Sequence, residues 1–448
     1  MAKKLIATFV VVALVSAGAF LYLRGGSHRG QVLQETRPLA ATADPLRVVL
    51  TPLSGEGALD DEIRNLQRKI AQSSDHEALL ERLGWAFVAK ARLTSDPGFY
   101  NLAEVAGKAI SVQGPAAPGR ALLLGHIADA QHNFAEAEKI ARQLTNQRNF
   151  VFDYALLGDA LMEQGKLTEA VDAYQKMVDL KPCLQTYSRV AYMRWLKGDL
   201  PGAVKAARVA VGAGSPREPE ATAWAYTRLA LYELQGGNAP HASTDLDLAL
   251  QLAPAYAPAL LMRGKLLLGE GQAAEAIAPL REAAAKSPLP DYLWTLSEAL
   301  RSDGQTEATQ KVEALLSKSG AMADPRTFAL FLSSRGESAE VALRLANAEL
   351  ETRHDIFTYD ALAWAQLAAG QVKEARENSL RALAEGTQDA RLFYHAGAIA
   401  AADGDNADAL KFLNQAHGIE QLLLPSEKQG LAKVTASVLA ATSHLSSK

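Results

Sequence analysis

The chain has 448 residues, 48% of them hydrophobic and 21% charged, with 46 Lys and Arg against 50 Asp and Glu for a formal net charge of -4. That length suits roughly three domains of ~150 residues, unless one repeated unit fills it. The mixed, slightly acidic charge lacks the basic field that phosphate backbones require, so no nucleic-acid partner is expected. The single cysteine, Cys183, rules out an internal disulfide or a cysteine metal cage.

Residues 1–24 read as an N-terminal signal anchor. Lys3 and Lys4 precede an uncharged run, 5–23, that Arg24 closes. As a helix the run reaches roughly 28 Å, about one hydrocarbon core. Ala17, Gly18 and Ala19 offer a cleavage site, so a cleaved signal peptide is the alternative. The apolar run continues through Phe20–Leu23, which favours an anchor. Residues 25–58 hold Gly25, Gly26, Gly30, Pro38, Pro45, Pro52, Gly55 and Gly57 with no helical period. They read as a flexible tether with one short extended piece around Arg47–Leu50.

Residues 59–421 are helical in pattern, with apolar positions three and four apart broken by Gly or Pro. A turn residue followed five positions later by a small residue recurs. It stands at Gly98/Ala103, His132/Ala137, Gly165/Ala170, Gly198/Ala203, Gly237/Ala242, Gly271/Ala276, Gly304/Thr309, Glu337/Ala342, Gly370/Ala375 and Gly404/Ala409. Successive pairs are 33 or 34 residues apart except for one interval of 39, where Gly212–Pro216 is inserted. The unit from Ala257 carries Gly264, Ala276, Leu280, Ala283 and Pro288; that from Val151 carries Leu157, Gly158, Ala170, Tyr174 and Pro182.

This layout resembles the tetratricopeptide repeat (TPR) family. The resemblance implies an all-α fold: a TPR-like right-handed α-solenoid of about ten helical hairpins after one N-terminal transmembrane or signal helix. In such units a small residue lets helix A approach helix B, and a proline ends helix B. Departures are the missing Trp at the fourth position, an insertion near Thr94–Asp96, Thr309 in place of Ala and a weak eighth unit. Residues 422–448 read as a capping helix and tail, with Leu431, Val434, Val438 and Leu439 on one face; the sharper alternative is a helix folded back into the groove.

No catalytic or metal motif stands out. Gly165-Lys166 and Gly264-Lys265 lack the earlier glycine of a phosphate loop, because Ala160 and Ala259 stand there. His126 and His132 flank a turn and read as surface or packing residues, and the carboxylates Glu136/Glu138 and Asp403/Asp405 as helix-start residues. No cofactor is expected, and no enzyme, because the repeats leave no room for a catalytic domain.

The resemblance also implies that helix A lines a concave groove. Its groove positions receive Trp85, Phe152, Tyr192, Trp195, Trp224, Leu231, Trp294, Phe331, Trp364 and Tyr394, together with Leu234, Leu261, Leu268 and Phe357. Aromatic anchors on a concave face suit a bound apolar segment. The structural alternative is that these rings pack between neighbouring A helices. The Lys/Asn clamp for a terminal carboxylate is missing: Thr227/Leu231 and Leu261/Lys265 occupy two of its pairs. The expected function is a protein- or peptide-binding scaffold for an envelope assembly or export complex. It would be single-pass in a bacterial inner membrane with the array in the periplasm, or secreted there after cleavage. A homo-oligomer is the competing use of the array.

Overall fold

A computed structural model describes residues 44–446, with side chains through residue 443. The signal-anchor segment, residues 1–24, and tether residues 25–43 lie outside the described residues. Among the described residues no helix is long and apolar enough to cross a membrane.

Two helices precede the repeats. α1 (Pro45–Val49) starts on the N-cap Asp44 with proline in its first turn. The extended piece expected around Arg47–Leu50 is therefore helical. Val49 is 1% exposed, and Gln67 donates to its carbonyl at 2.8 Å, so this end of the tether is packed rather than free. α2 (Ala58–Gln72) buries Ile63, Leu66 and Ile70 on one face and covers the first unit.

Ten hairpins follow. Units one to three are α3 (Glu77–Thr94) with α4 (Gly98–Lys108), α5 (Ala117–Ala130) with α6 (Phe134–Gln147), and α7 (Val151–Glu163) with α8 (Leu167–Leu180). Units four to six are α9 (Leu184–Leu196) with α10 (Leu200–Gly212), α11 (Pro219–Gln235) with α12 (Ala239–Leu252), and α13 (Ala257–Gly269) with α14 (Ala273–Lys286). Units seven to ten are α15 (Pro290–Ser302) with α16 (Thr306–Ala323), α17 (Pro325–Arg335) with α18 (Ala339–Leu350), α19 (Ile356–Ala368) with α20 (Val372–Ala382), and α21 (Ala390–Ala402) with α22 (Asn406–Gly418). A 3-10 turn at Glu420–Leu422 leads to α23 (Pro425–Ser446).

The turn landmark has a conformational cause. Gly165, Gly198, Gly237, Gly271, Gly304, Gly370 and Gly404 all adopt φ between 73° and 84°, where a Cβ is strained. His132 takes the same place in unit two at φ 61°. Two units depart. In unit one the left-handed residue is Ser95, within the insertion, not Gly98. In unit eight Gly336 and Ser338 share the reversal on either side of Glu337.

The small residues of helix A act as the resemblance implies. A Cβ added at Gly158 would stand 2.3 Å from Tyr174, and one at Gly264 would stand 2.3 Å from Leu280. The helix-B alanines Ala103, Ala137, Ala170, Ala203, Ala242, Ala276, Ala342, Ala375 and Ala409 are fully buried at the facing positions. Aspartates then start several helices: Asp199, Asp324, Asp355, Asp389 and Asp405 each accept a backbone N–H of the following turn.

The array coils so tightly that consecutive superhelical turns touch. Ser95 Oγ meets Ser287 Oγ at 2.7 Å, across 192 residues. Thr387 donates to the Leu196 carbonyl at 2.5 Å across 191 residues, and Gln421 donates to the Leu234 carbonyl at 2.7 Å across 187. Each contact joins the end of a helix A, or the turn after it, to a later link between units. An offset near 190 residues is between five and six units, so that many hairpins complete one turn. α23 packs on α21 and α22 and caps the last hairpin, with Leu431 0% and Val438 3% exposed, although Leu439 faces outward at 50%. The first turn of α23 also reaches α15. Ser426 N–H and Oγ donate to Glu298 at 3.0 and 2.9 Å.

Candidate functional site

The predicted groove residues divide into three groups. The first is sealed. Trp294 (1% exposed) meets Phe331 (2%) edge-to-face at 5.8 Å. Trp364 (8%) stacks on His395 at 4.0 Å and donates its indole N–H to Ser334 Oγ at 3.0 Å; Tyr394 is packed beside it at 5.5 Å. For these four residues the packing alternative holds, because neighbouring A helices and α23 fill the narrow hollow.

In the second group Trp195 and Tyr192 reach the seam between superhelical turns, whereas Trp85 and Phe152 meet rings of their own turn. Trp195 of α9 is buried and stacks on Phe357 of α19 at 5.7 Å, with Tyr192 5.5 Å away. Trp85 and Phe152 are half-buried; Trp85 sits 5.3 Å from His126, and Phe152 5.5 Å from Phe150. Burial, then the nearby Arg92 charge, lowers the His126 pKa to about 4, so the ring is neutral.

The third group is open. Trp224 of α11 is 39% exposed and Leu231, two turns further along the same face, is half-buried. Both line a cavity of about 340 Å³ with Leu261 and Met262 of α13. Its other wall is supplied by the next superhelical turn, through Arg391 at the start of α21 and Leu422 of the 3-10 turn. Three cations line it. Lys265 pairs with Asp291 at 2.7 Å and Arg391 with Glu427 at 2.6 Å. Arg228 instead lies over the rings of Tyr192, Trp195 and Tyr232 at 5.2–5.7 Å and donates to the Tyr232 hydroxyl at 3.2 Å.

A second cavity, about 450 Å³, opens between Glu163 and Tyr192 on one turn and Arg326, Asp355, Phe357 and Arg381 on the next. Arg381 donates to Asn378 at 3.2 Å and lies over the Tyr359 ring at 5.7 Å, whereas the other arginines here meet carboxylates. Arg353, at its edge, reaches Glu163 at 2.6 Å, Asp355 at 3.5 Å and Glu349 at 3.6 Å, and Arg326 pairs with Asp355 at 3.1 Å. Burial pushes the Glu163 and Glu349 carboxyls above their usual range.

Sequence reasoning passed over Arg228, Arg353 and Arg391. Arg228 left a signal: it stands among Trp224, Leu231 and Tyr232 with no acidic residue three or four positions away on α11. Arg353 and Arg391 left none, because Glu163 and Trp294, which they meet, belong to other parts of the array.

Residues 122–183 and 156–219 match the Tetratricopeptide repeat family model. The matches span units two to four; the same TPR-like hairpin recurs along the rest of the array. TPR arrays in general bind protein partners. A search of curated proteins finds no match. Among solved structures, the MamA protein aligns at 19% identity over 38% of this chain and 92% of its own, with a TM-score of 0.30. A second MamA structure aligns at 20% identity over 37% and 95%, also at 0.30. A tetratricopeptide repeat protein from Parabacteroides merdae ATCC 43184 aligns at 14% identity over 72% and 98%, at 0.32.

Proposed function

We propose that the chain is a non-catalytic scaffold that holds a partner protein through the open cavity between α11, α13 and the start of α21. The observation that carries this is Trp224. Three of the five tryptophans are buried in the chain's own packing, and Trp85 is half-buried. Trp224 alone is exposed, at the rim of a cavity with one apolar wall. An exposed tryptophan beside a pocket is the kind of side chain that dominates binding energy. Residues 5–23 would hold the array at a bacterial inner membrane, on the periplasmic side, where it would organise an envelope assembly or export complex; the length and apolarity of that run support the anchor.

The test compares tagged full-length chain with Trp224→Ala and with Met322→Ala, which removes another exposed apolar side chain. Capture from a solubilised membrane extract is read by mass spectrometry, with circular dichroism as the fold control. The proposal expects a protein set shared by wild type and Met322→Ala and lost, or reduced about thirtyfold, in Trp224→Ala. Equal recovery by all three overturns it.

A further inference from the structure

We infer that the cavity at Trp224 takes a carboxylate attached to an apolar body, with Arg228 as its counter-ion. This deepens the scaffold reading and rests on it for the choice of cavity. The volume, about 340 Å³, lies at the lower end of small-ligand sites, roughly 300–1,000 Å³.

The argument is one of unmatched charge. A guanidinium taken partly out of water needs an anion or a full set of acceptors. Arg228 has the faces of three aromatic rings and a single neutral hydroxyl. Every other charged group of the cavity is already engaged. Lys265 holds Asp291 with two hydrogen bonds, and Arg391 holds Glu427 with two. Asp389 also lines the cavity, but its oxygen accepts the backbone N–H groups of Arg391 and Leu392 at 2.9 and 3.2 Å, and it forms no ion pair with Arg228.

The neighbouring surface selects the rest of the ligand. Trp224, Leu231, Leu261, Met262 and Leu422 supply an apolar wall, so a compact inorganic anion would leave that wall wet. A carboxylate is planar and matches the guanidinium fork with two parallel hydrogen bonds. Such a carboxylate has two sources, a free organic acid and the C-terminus of a partner chain. This cavity is not the family's Lys/Asn clamp, whose positions here hold Thr227 and Leu231.

The experiment titrates the solubilised full-length chain with 4-phenylbutyrate, 4-phenylbutyramide, and the peptide Gly-Ser-Gly-Leu-Phe with a free or an amidated C-terminus. Binding is read by tryptophan fluorescence and calorimetry. Both acids are expected to bind at least tenfold more tightly than their amides. Arg228→Met should remove that preference and Arg228→Lys should restore part of it. If the peptide acid binds more tightly than phenylbutyrate the source is a chain terminus; the reverse order points to a free acid. Equal binding of acids and amides, or no binding of any of the four at millimolar concentration, overturns the inference, and this comparison holds even if Arg228→Met fails to fold. Partner capture that needs Trp224 while acids and amides bind alike removes the carboxylate and keeps the scaffold. An acid preference with capture insensitive to Trp224→Ala does the opposite.

Discussion

Arg353→Ala tests what holds one superhelical turn against the next. Arg353 is 12% exposed and sits where the link before α19 touches the ends of α5 and α7. Its guanidinium meets Glu163 at 2.6 Å, Asp355 at 3.5 Å and Glu349 at 3.6 Å, and it lies 5.3 Å from the Phe134 ring. Removing one partner of a buried pair costs about 3–5 kcal/mol, because the remaining charge is stranded. Glu163 is a quarter exposed, so water screens part of the stranded charge and the lower end applies. A loss of about 3 kcal/mol is roughly a hundredfold in the local opening equilibrium. The reporter is the His354 amide, which donates to the Glu163 carbonyl at 2.9 Å across the seam. Hydrogen exchange by mass spectrometry should show peptides over 351–357 and 160–167 exchanging about a hundredfold faster at pH 7. The seam contacts at Thr387 and Gln421 are separate, so peptides around them should change little. Unchanged exchange at His354 would refute the reasoning.

Two further outcomes follow from packing and charge. Gly158→Ala places a Cβ 2.3 Å from the buried Tyr174 ring; overpacking of about 1–3 kcal/mol outweighs the roughly 1 kcal/mol gained in helix propensity, so urea unfolding should show a net loss of about 1 kcal/mol. Gly212→Ala, with nothing within 4 Å of the added Cβ, should show no loss. The His126 pKa is lowered to about 4 in the fold against about 6.5 in the unfolded chain, so the unfolded chain alone takes up the proton as pH falls from about 6.5 towards 4, and stability drops in that window. Between pH 7 and pH 5 the wild type should lose about 2 kcal/mol more than His126→Gln; the raised carboxyls of Asp129 and Glu163 act oppositely but are common to both proteins and cancel. Equal losses would contradict a neutral His126 in the fold.

The hairpins were legible because their signal is local. A glycine that must reach φ near 77° and a small residue facing the partner helix lie within one unit, so Gly165 with Ala170 and Gly271 with Ala276 mark both turn and packing. The boundary at Asp44–Leu50 was misread because Pro45 and Pro52 suggest extended chain, yet proline in a first helical turn is compatible with helix. The groove was legible only in part. Placing Trp195, Trp294 and Trp364 on helix A says which way they point, not what arrives to cover them. Phe357 lies more than 160 residues after Trp195, and its approach depends on how many units complete a turn. That number comes from small packing rotations summed over five units, which no single repeat encodes. Gln421, Ser426 and Glu427 escaped notice for the same reason: their partners Leu234, Glu298 and Arg391 belong to three different units.

Contact between successive turns is what frames the Trp224 cavity, and a crosslink at the first seam measures it. Ser95 and Ser287 have their hydroxyl oxygens 2.7 Å apart, close to a disulfide separation of about 2.05 Å. In full-length chain carrying Ser95→Cys, Ser287→Cys and Cys183→Ser, mild oxidation should give an intramolecular disulfide in most molecules, seen as a reducible gel shift, with helicity unchanged. Free thiols after oxidation, or disulfides only between separate molecules, would mean that the turns stand apart and the hollow is open.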